Sequence, residues 1–169
     1  MPQPTVIELF AGAGGAAYGL HKAGFRHLAS VEMWPIAVAT LKAAGFPGVE
    51  GRVEAVNLLR FKGRVDLLWA SPPCQPYSSA GKRLGALDSR DGWDATLLRV
   101  LELRPRVLII ENVTDAPVDA WAKHLSDEGL FKHVEVFTLC SDKFGVPQAR
   151  CRDFIYAGPK PFPHAAIRS

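Results

Sequence analysis

Four short stretches of this chain are nearly continuous apolar runs: residues 5–10 (TVIELF), 25–31, 65–70 (VDLLWA) and 107–110 (VLII). A strand with one face in water alternates apolar and polar residues, whereas a strand covered on both faces does not. Helical spacing fills the gaps between the runs. In 35–44, Ile36, Ala39, Thr40 and Ala43 share one face, and Pro35 suits a first helical turn. Helices are also expected over 16–23, 93–103 and 118–128, the last ended by Gly129. In 93–103 the expected buried stripe is Trp93, Leu97, Val100 and Leu101. A weak strand near 51–56 and final strands at 132–139 and 153–157 complete the pattern. Strands alternating with helices specify an α/β fold, a mostly parallel sheet with helices on both faces.

The 169 residues suffice for one domain, read as 1–158, with a Pro-rich tail at 159–169 that lies on the surface or leads elsewhere. No apolar run approaches the roughly 18 residues that span a membrane, and no basic segment opens a secretory signal. Cys74, Cys140 and Cys151 do not form a disulfide framework, and no CxxC or His/Cys cluster suggests a metal. A reduced, cytoplasmic protein is expected. The net charge of +3 arises wholly after residue 140, where five basic residues face two acids. That permits a polyanionic partner without demanding one.

Two sites stand out. Phe10-Ala11-Gly12-Ala13-Gly14-Gly15 leaves the first strand and opens a helix, where glycines admit a ligand and free N–H groups favour polar or anionic atoms. Glu32 ends the next strand, 20 residues after Gly12, where a carboxylate can accept ribose hydroxyls. The spacing is not GxGxxG, which favours a mononucleoside cofactor such as S-adenosylmethionine over a dinucleotide. A plain strand–helix turn and a solvated Glu32 are the bland alternatives. The second site is Ser71-Pro72-Pro73-Cys74-Gln75-Pro76, where prolines stiffen the backbone around one thiol at a strand end. Cys140 reads as a small buried hydrophobe, and Cys151 stays open. Glu111 and Asn112 end the VLII strand on the same sheet edge as Cys74. Glu111 is either a proton-holding acid or a helix cap. Arg150 and Arg152 alternate, so an extended segment points both guanidiniums one way, toward phosphate, a base carbonyl or plain solvent.

Taken in order, ELFAGAGG, SPPCQPYSSAGK, LDSR, ENV and FGVPQARCR resemble the motifs of the C5-cytosine DNA methyltransferase catalytic domain over roughly residues 5–158. The resemblance implies a Rossmann-like, S-adenosylmethionine-dependent methyltransferase fold without metal. It implies Cys74 as nucleophile and Glu111 as the residue engaging cytosine N3, with Arg150 and Arg152 orienting the base. Phe10, Ala11, Gly12, Gly14, Gly15 and Glu32 would hold the cofactor, Pro73 would line the pocket, and replacing Glu32 by Ala would weaken cofactor binding with the fold retained. Gln75, Ser78, Lys82, Arg83, Asn112 and Gln148 would contact double-stranded DNA.

Departures from the family pattern matter as well. Met33 stands where a large aromatic or apolar residue usually covers adenine, with Trp34 beside it. Glu54 is the nearest candidate for the adenine amino contact, Asp91 precedes Gly92 after LDSR, and Trp93 falls at an expected cofactor contact. No stretch matches a target-recognition domain or the closing motifs. The expectation is a split subunit completed by a second polypeptide, a truncated catalytic half, or a compact variant completed by a homodimer partner. Methylation of RNA, a non-catalytic cofactor-binding subunit and a dehydrogenase-like nucleotide binder remain alternatives.

Overall fold

The structure is a computed structural model and describes residues 2–73 and 92–167. Seven strands form one sheet in the order β3-β2-β1-β4-β5-β7-β6. β1 (Thr5–Leu9), β2 (Arg26–Glu32), β3 (Gly48–Glu50), β4 (Leu67–Ala70) and β5 (Val107–Asn112) run parallel. β7 (Cys151–Gly158) inserts antiparallel between β5 and β6 (His133–Cys140). Helices α1 (Gly15–Lys22), α2 (Pro35–Ala43), α3 (Trp93–Leu103) and α4 (Val118–Asp127) connect the strands. The α/β class, the mostly parallel sheet and all four helices match the sequence pattern.

The unalternating runs are buried as their composition requires. Every residue of β1 is buried, including Glu8, and Val6, Ile7, Leu9, Leu68, Ala70, Leu108 and Ile110 are almost wholly removed from water. Each such side chain contributes about 1.5–3 kcal/mol of transfer free energy. β1 and β4 therefore sit at the centre of the sheet, and their C-terminal ends open side by side, with Ser71 N–H donating to Leu9 O.

Three expectations are corrected. The third strand is Gly48–Glu50, and residues 52–56 form a turn closed by Arg52 O. α3 buries Trp93, Thr96, Arg99, Val100 and Leu103 and exposes Leu101, because Arg99 turns inward to donate Nε–H to Val53 O. Residues 159–165 lie on the surface, where Phe162 stacks on Phe137, and Glu135 accepts from Phe162 N–H and pairs with His164. Finally, Cys140 and Cys151 face each other across the β6–β7 ladder and form a disulfide. Antiparallel register, invisible in the spacing, is what brings the two together.

Candidate active site

At its C-terminal end β1 gives way to a strained turn. Phe10 holds φ 58°, a left-handed conformation that costs a non-glycine residue about 1–3 kcal/mol. Ala11 N–H donates to Val31 O, and Gly12 and Gly14 take φ 55° and 99°, angles that favour glycine. The turn delivers Gly15 and Ala16 into the first turn of α1, whose N–H groups lack acceptors within the helix.

Glu32 locks this turn from the neighbouring strand. Its Oε2 accepts Gly12 N–H at 2.8 Å, and its Oε1 accepts Met33 N–H at 2.7 Å and Trp34 N–H at 2.9 Å. The carboxylate is buried. Gly12 N–H is thus committed to Glu32, and Gly14 N–H to Ala11 O. Met33 and Trp34, 51% and 61% exposed, stand open beside Glu32 as flat or flexible apolar cover.

The second wall comes from β5. Glu111 pairs with Arg152 of β7, Nε to Oε1 3.2 Å, and both side chains are half-buried. β7 lies beside β5 with Glu111 opposite Phe154, so Arg152 reaches the acid from two residues nearer the sheet's upper edge. Phe10, Ala11, Gly15, Ala16, Trp69, Ser71, Glu111 and Arg150 enclose a cleft of about 410 Å³. The glycine turn, the acid and the arginine segment thus open on one space.

Asn112, expected at the substrate, is buried instead. Its Nδ2 donates to Pro72 O at 3.3 Å and its Oδ1 accepts Val113 N–H, tying the end of β5 to the segment that precedes Cys74. Trp93, expected at the cofactor, packs on Trp121 in parallel stacking and donates to His124 Nδ1. Gln148 is exposed in the turn before β7, where its carbonyl accepts Ser141 Oγ–H. Glu54 lies in the exposed turn after β3 and pairs with Arg52. Partial burial raises its carboxyl, but hydrogen bonds from its own backbone amide and from Arg52 outweigh that and hold it below the usual range. Neither Glu54 nor Trp93 lines the described cleft. Cys74, Gln75, Ser78, Lys82 and Arg83 lie outside the described residues.

Three further residues, to which the motifs assign no role, shape the cleft. Trp69 and Ser71 line the cleft and are joined by an Nε1–H to Oγ hydrogen bond of 3.0 Å. Gly92 sits where a Cβ would come within 2.8 Å of Phe10 Cζ and Pro72 Cβ and 2.9 Å of Pro73 Cδ. Only hydrogen fits there, which lets Phe10 and the proline pair close together. The proximity of Gly92 to LDSR was the one available signal.

Residues 4–165 match the sequence profile of the C-5 cytosine-specific DNA methylases. The chain belongs to that family. It is 38% identical over 171 residues to the Type II methyltransferase M.NaeI of Lentzea aerocolonigenes, covering 93% of this chain and 40% of that protein. It is 33% identical over 178 residues to the Type II methyltransferase M.AquIA of Picosynechococcus, covering 90% of this chain and 71% of that one. Among solved structures, the Entamoeba histolytica methyltransferase EhMeth matches with a TM-score of 0.74 at 19% identity, covering 96% of this chain and 55% of that one. Schizosaccharomyces pombe Dnmt2 matches at 0.70 and 21%, covering 95% and 52%. These structures establish the Rossmann-like methyltransferase fold. This family member spans 27% of M.PspPI, 40% of M.NaeI and 42% of M.NgoMIV, well under half of each of those longer relatives.

Proposed function

We propose that this chain is the cofactor-binding and catalytic half of an enzyme that transfers a methyl group from S-adenosylmethionine to C5 of cytosine in double-stranded DNA. The observation that supports this best is the shared cleft: the Glu111–Arg152 pair and Arg150 face the Phe10–Ala16 turn, beside the Pro72–Pro73 segment leading to Cys74. The relatives named as Type II methyltransferases favour a place in a restriction-modification pair. A second polypeptide or further segment supplies target recognition, and a second copy of the chain is the other way to complete it. A cytoplasmic location, on DNA when bound, goes with this reading.

The cleft suits the cofactor. Gly15 and Ala16 present unsatisfied N–H groups to a carboxylate, Phe10 offers a ring, Glu32 has lone pairs left for ribose hydroxyls, and Met33 or Trp34 can cover adenine. The bound cofactor supplies an electrophilic methyl group, and no metal is required.

The rest follows from the chain's own residues. Cytosine C5 is a weak nucleophile within its ring. Addition of the Cys74 thiolate to C6 turns C5 into an enamine carbon, which takes the methyl group. Loss of the C5 proton and elimination at C6 then release Cys74. Negative charge builds at N3 during addition, and Glu111 holds a proton or hydrogen bond there. Arg152 fixes Glu111 in place, and Arg150 is free to meet the base carbonyl. The base must leave the duplex stack to enter a cleft this narrow. Gln75, Ser78, Lys82, Arg83 and Gln148 are assigned to the surrounding nucleic acid.

DNA carrying 5-fluorocytosine tests the proposal, because fluorine at C5 blocks the final elimination. A covalent adduct is expected with the chain plus its completing segment and cofactor, and none with Cys74→Ala. An adduct that survives in C74A removes Cys74 from the role. Adduct formation only on RNA moves the substrate to that polymer.

A further inference from the structure

The end of the sheet opposite the cleft is a row of cations. Arg26 opens β2, Arg64 precedes β4, Arg106 precedes β5, Lys160 follows β7 and Lys132 precedes β6. Backbone hydrogen bonds fix this alignment. Arg26 N–H donates to Pro4 O, Arg64 O accepts Thr5 Oγ–H, Arg106 N–H donates to Val65 O, and Lys160 O accepts Tyr156 O–H. All five side chains are exposed, and none lies within ion-pair distance of a carboxylate among the described residues. Lys62 flanks the row, beside the Gly63 N–H bond to Leu103 O.

The acids near this end are already engaged. Asp66 accepts Thr5 N–H at 2.8 Å and Thr5 Oγ–H at 2.9 Å, which hold its carboxyl below the usual range with help from Arg106. Glu135 is taken by Phe162 and His164, and Glu102 by Arg99. At the end of α4, Asp127 is taken by Lys123 and Glu128 by His124. Compensation of helix dipoles does not account for the row either. Cations favour the last turn of a helix, but Arg26, Arg64, Arg106 and Lys132 sit in the loops that start strands.

We propose that this end of the sheet binds the phosphate backbone of duplex DNA, independently of sequence, as a contact separate from the cleft. Five strand spacings separate β2 from β6, about 24 Å at the usual inter-strand distance. Duplex DNA carries one charge per about 1.7 Å of axis, so such a row spans roughly seven base pairs. β5 is six residues long, which sets the two ends about 20 Å apart. A straight duplex docked at the cleft does not reach the row, so the row holds a second duplex segment and keeps the chain on DNA while the cleft samples bases. An acidic protein surface is the less favoured occupant. The centre of a protein interface is depleted in charged side chains, and this row consists of exposed cations. The proposal goes beyond the methyl-transfer reading and does not depend on it, since a chain without turnover would still bind.

The test uses the full chain and a fluorescent 24-base-pair duplex of A·T pairs only, which offers no cytosine to the cleft. Anisotropy titrations run from 50 to 200 mM salt. Replacing Arg64, Arg106 and Lys132 together by Gln is expected to make the slope of log K against log salt shallower by about 2–3, at roughly 0.9 per lost phosphate contact. Replacing Arg52 by Gln, an exposed cation in the turn after β3 at the other end of the sheet, is expected to leave the slope unchanged. Cofactor titration and the thermal midpoint of each variant confirm folding. An unchanged slope in the triple variant overturns the proposal, as does an equal effect from the Arg52 variant. Equal loss of binding to polyglutamate and to the duplex shows a general anion surface and also overturns it.

Discussion

Glu8 is the most informative residue to perturb outside the cleft. It lies mid-strand in β1, fully buried, with Oε1 accepting Ser30 Oγ–H at 2.9 Å and lying 2.9 Å from His27 Nδ1. Its Oε2 and the Nε2 of His27 have no hydrogen-bond partner among the described residues. Burial raises its carboxyl from 4.5 to about 7, only partly countered by Ser30. A raised acid binds its proton more tightly in the folded chain than in the unfolded one. Stability from this source is therefore complete below pH 4.5 and is lost as pH rises toward and through 7. Raising the carboxyl from 4.5 to about 7 corresponds to about 3 kcal/mol. That equals about 6–12 °C in Tm for a chain of this size.

Glu8→Gln keeps the shape and both acceptor contacts but cannot ionise. At pH 5 the variant and the parent chain should be within about 1 kcal/mol in urea unfolding. At pH 8.5 the variant should be the more stable by about 3 kcal/mol. His27 acts in the other direction: burial first, then nearby His21, hold it below 6.5, so its contribution is lost as pH falls through that lowered value. Both chains carry that loss, so the difference between them isolates Glu8 except for direct coupling across the 2.9 Å contact. A cycle with His27→Gln measures that coupling. Parallel stability curves for parent and variant from pH 5 to 8.5 would refute the argument.

Three further outcomes are expected. Arg152→Gln frees Glu111 from its cation, and methyl transfer by the completed enzyme should fall about 10²–10³-fold with cofactor affinity held within about twofold; a matching loss in cofactor titrations would contradict this. Gly92→Ala pushes a methyl group into Phe10, Pro72 and Pro73, so cofactor affinity should weaken about tenfold, or roughly 1.4 kcal/mol, and unchanged calorimetry would show that these groups yield freely. Glu32→Ala strips three N–H groups of their acceptor and should cost about 3 kcal/mol or more in urea unfolding; an unchanged midpoint would contradict this.

What the sequence made legible and what it hid divide along a physical line. Unalternating strands, helix spacing and the glycine turn are local patterns, and the four helices and the parallel half of the sheet follow from them. The ordered motifs likewise pointed to Glu111, Arg150 and the Phe10–Gly15 turn, which the structure brings to one cleft. Hidden were the contacts decided by pairing between distant segments. Asn112 reads as a polar residue at a reactive edge, yet the approach of Pro72 O turns it into a buried tie. Leu101 reads as part of the buried stripe of its helix, yet the turn at Val53 offers a carbonyl that draws Arg99 inside instead. Cys140 and Cys151, 11 residues apart, read as unrelated until β6 and β7 pair antiparallel and set them opposite each other. Trp93 is decided in the same way: its position near LDSR suggests the cofactor, and its ring stacks in parallel on Trp121 of α4. In each case a partner far along the chain decides between two roles that the residue's own neighbours leave equally open. The Glu111–Arg152 pair is the counter-example. Its members are 41 residues apart, yet each sits beside a strand whose register is set by apolar burial, so the contact was within reach of reasoning about edges alone.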